Sequence, residues 1–481
     1  MEPIDNLLSR TLNLGPLAHY LSMASRLGHI ACSPPHTPSV SSLLEELEFE
    51  MEDFTDSLME EIKHFTSHPY IVRKGEWFYF KKNYIAETLL VDEIKRLREE
   101  TPHITCSLDR VDQLPLLPGQ RDVVCEALNH TLSLIVGGPG TGKTYTAGWL
   151  IRMLIEEAKT PFSVVLAAPT GKAAIHLKQS IEKATEGLSL PPMEMMTLHA
   201  LIGKKREGLF PQDVILIDEA SMVDIHLMPQ LLARVKPGAR LILMGDPNQL
   251  PPVEGGTLFT DLADVFQGGV LTESRRVENP TLLEWAHGVK EGVALFPLKP
   301  LKAFNHSSSI ILTPLKEGFY GVDALNHQKL HSFLEKPPKI LEIPIMITRN
   351  DYTLGLFNGE CGTLIASQKD LIDLREKRRH FRSFQESFVK IMIDGKERTF
   401  LPYELPPFQL AWAISVHKSQ GSEFDHVSLL IPPGSKRFGR ELLYTAITRA
   451  KKRLEVFGDL DELNALLKKT YRRSSALVNR I

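Results

Sequence analysis

The sequence predicts an α/β fold built on parallel sheets with crossover helices, and three observations carry that prediction. Short β-branched runs, Val164-Val165-Leu166-Ala167, Val214-Ile215-Leu216-Ile217 and Leu241-Ile242-Leu243-Met244, alternate with helical patterns, the order that writes strand, helix, strand units. Each run ends in a polar cluster, and in open parallel sheets ligands bind beyond the carboxyl ends of the strands. The stretch Gly137-Gly138-Pro139-Gly140-Thr141-Gly142-Lys143-Thr144 follows directly on the apolar run Leu132 to Val136. Strand, glycine-rich loop and helix start therefore come in the sequence a phosphate loop requires.

Length bounds the organisation. At 481 residues the chain is too long for one core and predicts roughly three domains or subdomains. The formal charge of −3 leaves no global basic footprint, so a nucleic-acid surface would have to be a local stripe. Cys32, Cys106, Cys125 and Cys361 are scattered without C-x-x-C spacing, which argues against a zinc site or a disulfide framework and fits a reducing compartment. The start, Met1-Glu2-Pro3-Ile4-Asp5, has no basic and apolar leader pattern, and no uncharged apolar run approaches the ~18 residues of a membrane span. A cytoplasmic location without membrane partners is expected.

From the N-terminus, Leu43, Leu47, Met51, Phe54, Leu58, Ile62 and Phe65 recur at three- and four-residue steps with acidic residues between them, which predicts an acidic amphipathic helix. Its acidic side reads as the solvated face of a bundle, with partner docking as the alternative. Tyr70-Ile71-Val72-Arg73 and Trp77-Phe78-Tyr79-Phe80 flank Lys74-Gly75-Glu76 and predict a hairpin, then a helix from about Tyr84 to Glu99. The hairpin aromatics beside Lys81 and Lys82 read as a buried face rather than a base-stacking set. Leu114-Pro115-Leu116-Leu117-Pro118-Gly119 reads as a linker. Between about Arg349 and Phe408, short strands with glycine turns predict a small β-barrel or a plain β-rich excursion. The basic residues Lys468, Lys469, Arg472 and Arg473 either touch nucleic acid or are solvated.

The polar clusters carry chemistry. Gly137, Gly138, Pro139, Gly140, Thr141 and Gly142 would turn backbone amides onto phosphate oxygens. Lys143 would add a point charge, and the Thr144 hydroxyl would ligate Mg2+. Asp218 and Glu219 end a buried run, so Asp218 is expected in the Mg2+ shell and Glu219 as the group that polarises the attacking water. Gln249, in Gly245-Asp246-Pro247-Asn248-Gln249-Leu250, offers an amide as a γ-phosphate sensor. These residues point to a nucleoside triphosphatase using ATP and Mg2+.

Farther along stand Ala168-Pro169-Thr170-Gly171-Lys172, Thr197-Leu198-His199, Gly355-Leu356-Phe357-Asn358-Gly359-Glu360, Val416-His417-Lys418-Ser419-Gln420-Gly421-Ser422-Glu423-Phe424 and Tyr444-Thr445-Ala446-Ile447-Thr448-Arg449-Ala450-Lys451-Lys452. Together with the phosphate loop they resemble the superfamily 1 helicases in content and order, over about Gln120 to Lys452, and within them the RecD (exodeoxyribonuclease V alpha subunit) family. The resemblance implies two RecA-like P-loop motor domains, a helical N-terminal region and a small SH3-like β insertion in the second motor domain. The implied bounds are 1–107 for a partner-docking region, 108–266 for the first motor and 267–481 for the second, with the insertion at about 350–408. It also implies that Gln120 reads the adenine, that Gly421 and Glu423 lie at the nucleotide with Glu423 on the ribose, and that Arg449 is an arginine finger. Arg276 stands at a second phosphate-contacting arginine, although Arg275 and Val277 depart from the family's aromatic and glutamine. Pro169, Thr170, Thr197, His199, His417, Lys418 and Ser419 would grip the strand.

What the resemblance implies for function is an ATP-dependent DNA helicase subunit. It would move 5′→3′ on single strands and process double-stranded DNA ends in a heterotrimer with RecB-like and RecC-like partners. A stand-alone DNA or RNA helicase of the same superfamily is the alternative enzyme, and a scaffold subunit with a structural ATP site is the alternative of another class. No nuclease constellation is visible in the sequence.

Overall fold

The computed structural model describes residues 15–34, 38–39, 43, 54–203, 208–266, 269–273, 279–304, 309–351, 353–378, 380–393, 395–471 and 473–481. The expected acidic helix is described as Phe54–His64, with Phe54 and Leu58 buried; its residues 44–53 lie outside the described set.

Among the described residues the first sheet has six parallel strands in the order Met193–Thr197, Val164–Ala168, Val214–Ile217, Arg240–Gly245, Leu132–Gly137, Val270–Leu271. Four of them are buried along their whole length, as expected of a sheet covered on both faces. The period of two sorts the side chains. Val164, Leu166, Val214 and Leu216 pack with Leu150, Leu154 and Ile181 from the helices Lys143–Glu157 and Gly171–Ala184. Val165, Ala167, Ile215 and Ile217 face Leu90, Ile94, Met228 and Leu258 instead.

Leu90 and Ile94 belong to the helix Lys81–Glu99, which starts three residues before the expected one and forms a layer of this core. The boundary expected at residue 107 therefore falls after a helix that packs on the first sheet, and strand Val270–Leu271 carries that sheet past residue 266. The hairpin pairs Ile71–Lys74 with Trp77–Phe80 around Gly75 at φ 59°. Ala31–Cys32 adds a third strand, and Phe78 and Tyr79 are buried. The proline-rich segment is not a free linker, because Leu114 and Leu116 are buried. Pro118 opens the helix Pro118–Asn129, where its missing N–H leaves no bond unmade.

The second sheet is also parallel, in the order Leu298–Lys299, Ala450–Gly458, Phe424–Ile431, Ile310–Thr313, Ala413–Ser415. The β insertion is, among the described residues, a five-stranded antiparallel sheet in the order Lys396–Phe400, Phe388–Ile393, Cys361–Ser367, Ile340–Ile347, Phe408–Leu410. It begins at Ile340, ahead of the expected residue 350, and among the described residues its two end strands do not pair with each other. Beyond the helix Leu460–Lys468, the chain returns across the first sheet's unit. Arg473 donates to the carbonyls of Pro252, Glu254 and Gly256, and Leu477 is buried in the core of the first sheet. No described helix is long and apolar enough to cross a membrane.

Candidate nucleotide site and strand channel

Three strands of the first sheet send their loops to one site. The strand Leu132–Gly137 runs into the phosphate loop, whose Gly140 and Gly142 take φ 72° and 81°, conformations open to glycine without strain. A Cβ on Gly137 would stand 2.5 Å from Thr141 Oγ1, and one on Gly142 2.7 Å from Gln120 Nε2, so side chains there would collapse the cradle. Lys143 spans it, donating to the Gly137 and Gly138 carbonyls at 2.8 and 3.1 Å. Thr144 is half-buried at the start of the following helix. Gln120 is buried against the same loop: Nε2 donates to Thr141 O at 3.1 Å and Oε1 accepts from Leu117 N at 3.1 Å.

Strand Val214–Ile217 delivers Asp218, whose Oδ1 accepts the Glu219 N–H at 2.8 Å. Burial, followed by the neighbouring Glu219 charge, pushes the Asp218 carboxyl up from its usual range, against the pull of Lys143. Glu219 stands in the left-handed region at φ 51°. Strand Arg240–Gly245 delivers buried Asp246 and Gln249. Gln249 Nε2 donates to Asp246 Oδ2 at 3.4 Å, while its Oε1 and the nearby Ser221 Oγ have no partner among the described residues. A glycine cradle, a lysine, a carboxylate pair and an orphaned amide oxygen fit a Mg2+-nucleotide chemically.

The unit built on the second sheet packs against this loop set. Leu250 N donates to Thr445 Oγ1 at 2.9 Å, and Gln420 Nε2 donates to Leu250 O at 3.1 Å. Tyr444 Oη donates to Asp246 Oδ2 at 2.8 Å, and burial, then Asp246, raises its pKa well above the usual value. Sequence reasoning assigned Tyr444 no role; its place inside the Tyr444–Lys452 motif was the only signal. Lys290 lies 4.9 Å from the Tyr444 ring centroid.

Arg449 is 4% exposed, and its guanidinium donates to Thr445 O, Ser422 O and Thr448 Oγ1, each at 3.1 Å. It thus lies within the second unit's own loop. Glu423 pairs with Lys451 at 3.6 Å. Arg276 lies outside the described residues.

Of the residues expected at the strand, Pro169 and Thr170 are half-exposed, and His199 and Lys418 are exposed. Thr170 Oγ1 caps the helix Gly171–Ala184 and lies 3.3 Å from where a Gly421 Cβ would stand. Lys172 Nζ reaches Ser422 Oγ at 3.1 Å, and a Cβ on Gly171 would meet the Phe357 ring at 2.1 Å. These contacts bring the Pro169–Lys172, Gly355–Glu360 and His417–Glu423 segments together across the two sheet units. Thr197 and Ser419 are buried: Thr197 Oγ1 accepts from Ala200 N, and Ser419 Oγ donates to Val416 O at 2.7 Å. Their hydroxyls are engaged inside the protein. His417 is half-buried, its pKa lowered by burial and then by Arg473.

Comparison with known proteins matches residues 115–311 to the AAA domain model and 410–456 to the UvrD-like helicase C-terminal domain. The RecBCD enzyme subunit RecD of Mycolicibacterium smegmatis is 28% identical, covering 85% of this chain and 82% of its own. That of Haemophilus influenzae is 26% identical over 83% and 79%. The chain belongs to the RecD-like superfamily 1 helicases. The ATP-dependent RecD2 DNA helicase of Deinococcus radiodurans is 30% identical over 75% of this chain, which spans 52% of that protein. Likeness to solved structures is weaker: Pif1 helicase from Candida albicans is 20% identical with a TM-score of 0.46, covering 73% of this RecD-like chain and 97% of that one.

Proposed function

We propose that the chain is an ATP-driven motor on single-stranded DNA, with hydrolysis at the junction of its two parallel sheets. The observation that carries this reading is the single cleft shared by Lys143, Asp218, Glu219 and Gln249 from one sheet and by Tyr444 and Thr445 from the other. In this reading the amides of Gly138 to Thr144 and the Lys143 ammonium bind the phosphates of ATP, with Gln120 at the adenine. Thr144 and Asp218 hold Mg2+, which supplies charge neutralisation at the phosphoryl group. Glu219 orients and deprotonates the attacking water, and Gln249 senses the γ-phosphate.

Phosphoryl transfer relies on positioning and charge stabilisation, and an arginine finger contributes about 10³–10⁵ in rate. Arg449, and Arg276 by resemblance, would supply it from the second unit once its guanidinium leaves the Ser422 and Thr445 carbonyls. Gly421 and Glu423 lie at the ribose side. Because the cleft is made of two units, closure and opening alternate with the nucleotide state, and Pro169, Thr170, His199, His417 and Lys418 hold the backbone through that alternation. Thr197 and Ser419 would contribute through loop shape.

The RecBCD enzyme subunits RecD it resembles support a place beside RecB-like and RecC-like partners; action at double-stranded DNA ends with 5′→3′ movement is what the sequence resemblance implies. The RecD2 likeness supports the stand-alone alternative.

Steady-state ATP hydrolysis by the purified chain, with and without single-stranded DNA, tests the reading. DNA-stimulated turnover that disappears in a folded Lys143→Ala variant is expected; full turnover in that variant would remove the site assignment. Turnover that appears only when RecB-like and RecC-like subunits are added would favour the heterotrimer over the stand-alone motor.

A further inference from the structure

Phe319 is the most exposed large hydrophobic aromatic among the described residues at 70%, and the loop that carries it is tightly fastened. The loop follows the strand Ile310–Thr313 and leads into the helix Val322–Leu334. Thr313 Oγ1 donates to Tyr320 O at 2.9 Å and accepts from Leu315 N. Val322 N and Asp323 N donate back to Leu315 O and Lys316 O at 3.0 and 3.2 Å, and Gly321 N to Gly318 O at 2.9 Å. Gln328 Nε2 reaches Phe319 O itself. Gly318 takes φ 88°, and a Cβ on Gly321 would meet Glu317 O at 2.4 Å. The turn is therefore specified at two glycines and holds the ring out of the core, while neighbouring Tyr320 packs inward beside Ile311 and Leu325. Hydrophobic burial would favour the opposite orientation.

The position of the loop says what would cover the ring. Strand Ile310–Thr313 lies parallel to Ala413–Ser415 with Thr313 opposite Ser415, and Val416 N donates to Thr313 O. The Phe319 loop and the His417–Ser419 turn thus leave the same carboxyl edge of the second motor sheet side by side. Lys316 and Lys418 are both exposed there. Burial, then the Lys316 charge, lowers the Lys418 pKa against the opposing pull of Asp323, and Lys418 Nζ donates to Gln409 Oε1 at 2.8 Å. Two cations beside a preset, solvated aromatic ring complement a polyanion that carries flat apolar rings.

We infer that Phe319 is a base-stacking platform on the strand channel, where one nucleobase of a single-stranded DNA lies on its ring while Lys316 and Lys418 meet the flanking phosphates. This rests on the DNA-motor reading and adds to it a sequence-independent grip supplied by the second motor unit. Stacking on an aromatic ring tolerates any base, since every base has a π-face.

Equilibrium binding of an oligothymidine of about 12 nucleotides, within the site sizes of such grooves, tests it on the full chain. Phe319→Ala should weaken binding by about 5- to 150-fold, the equivalent of ~1–3 kcal/mol per stacked base. The salt dependence should be unchanged, because no phosphate contact is lost. Lys418→Ala should lessen the salt slope instead. The Phe319→Trp variant should retain binding, and its added emission should be quenched by oligothymidine but not by an abasic oligonucleotide of equal length.

Wild-type binding with an unaffected Phe319→Ala variant, or an unquenched added tryptophan, would overturn the platform while leaving the motor reading intact. Absence of any binding by the wild type would overturn both. A Phe319→Ala variant that binds DNA normally but no longer co-elutes with a partner subunit would assign the ring to a protein contact and overturn the inference.

Discussion

At the residue scale, Glu219, proposed above as the general base, is the point where stability and that chemistry would pull apart. It holds φ 51° and ψ 39°, a left-handed conformation, which costs about 1–2 kcal/mol for an ordinary L-residue. Its charge also faces Asp218, whose carboxyl is already pushed up by burial. Neither feature helps the fold. Asparagine visits the left-handed region more easily and carries no charge. Glu219→Asn is therefore expected to raise the thermal midpoint slightly, by up to about 1 kcal/mol of stability, while ATP turnover falls by about 10²–10⁴ for a lost general base. Calorimetry and steady-state hydrolysis on one preparation check both halves. An unchanged rate would remove Glu219 from catalysis, and a lowered midpoint would show that its backbone is not strained.

At the element scale, the segment from Arg473 to Ile481 decides how the N-terminal layer is fastened. Glu87, on the helix Lys81–Glu99, is fully buried; its Oε1 accepts from Arg480 at 2.9 Å and from Tyr79 Oη at 3.1 Å, and its Oε2 has no partner among the described residues. Removing one member of a buried pair strands the other charge, at about 3–5 kcal/mol. Arg480→Ala should lower the first unfolding transition in urea by an amount of that order, and adding Glu87→Gln should recover most of it. A shift under about 1 kcal/mol in the single variant would show that the pair contributes little.

This element also marks the limit of what the sequence discloses. The phosphate loop and the strands ending at Ile217 and Gly245 were legible, because phosphate binding and two-sided burial impose local patterns. Arg473 read as part of a basic tail, yet three distant carbonyls hold it. Arg240 opens a strand and is 1% exposed, donating to Ala127, Leu128 and Ile104 carbonyls. Such partners are set by tertiary proximity, which no local pattern encodes. Pro344 likewise obscured the first strand of the insertion, since proline argues against strand interiors, although it lies opposite Thr363 in the ladder.

At the scale of the whole molecule, three parts of the chain meet at His29. Ser474, returning from the second motor unit, donates its N–H to His29 Nδ1 at 2.8 Å, and its hydroxyl contacts the same nitrogen at 2.8 Å. Ile30 N and Ala31 N donate to Ser474 O, and Gly256 N in the first motor unit donates to Gly28 O. Nδ1 must be unprotonated to accept the Ser474 N–H, while the Ser474 hydroxyl donates to Ala31 O at 2.6 Å. Burial, and then the nearby Arg473 charge, lower its pKa from 6.5 to about 4. Above pH 6.5 neither the folded nor the unfolded chain protonates this ring, and it adds no pH dependence. As the pH falls from 6.5 to about 4, the unfolded chain binds the proton first, so stability declines by up to about 1.4 kcal/mol per pH unit. Below about 4 both states are protonated and the loss, at most about 3 kcal/mol, remains without growing. Thermal melts of the wild type and of His29→Asn, which keeps an acceptor and cannot titrate, should therefore diverge between pH 6.5 and 4, with the wild type falling faster. Parallel curves for the two proteins would place the acid sensitivity in other groups and leave the three-way junction insensitive to pH.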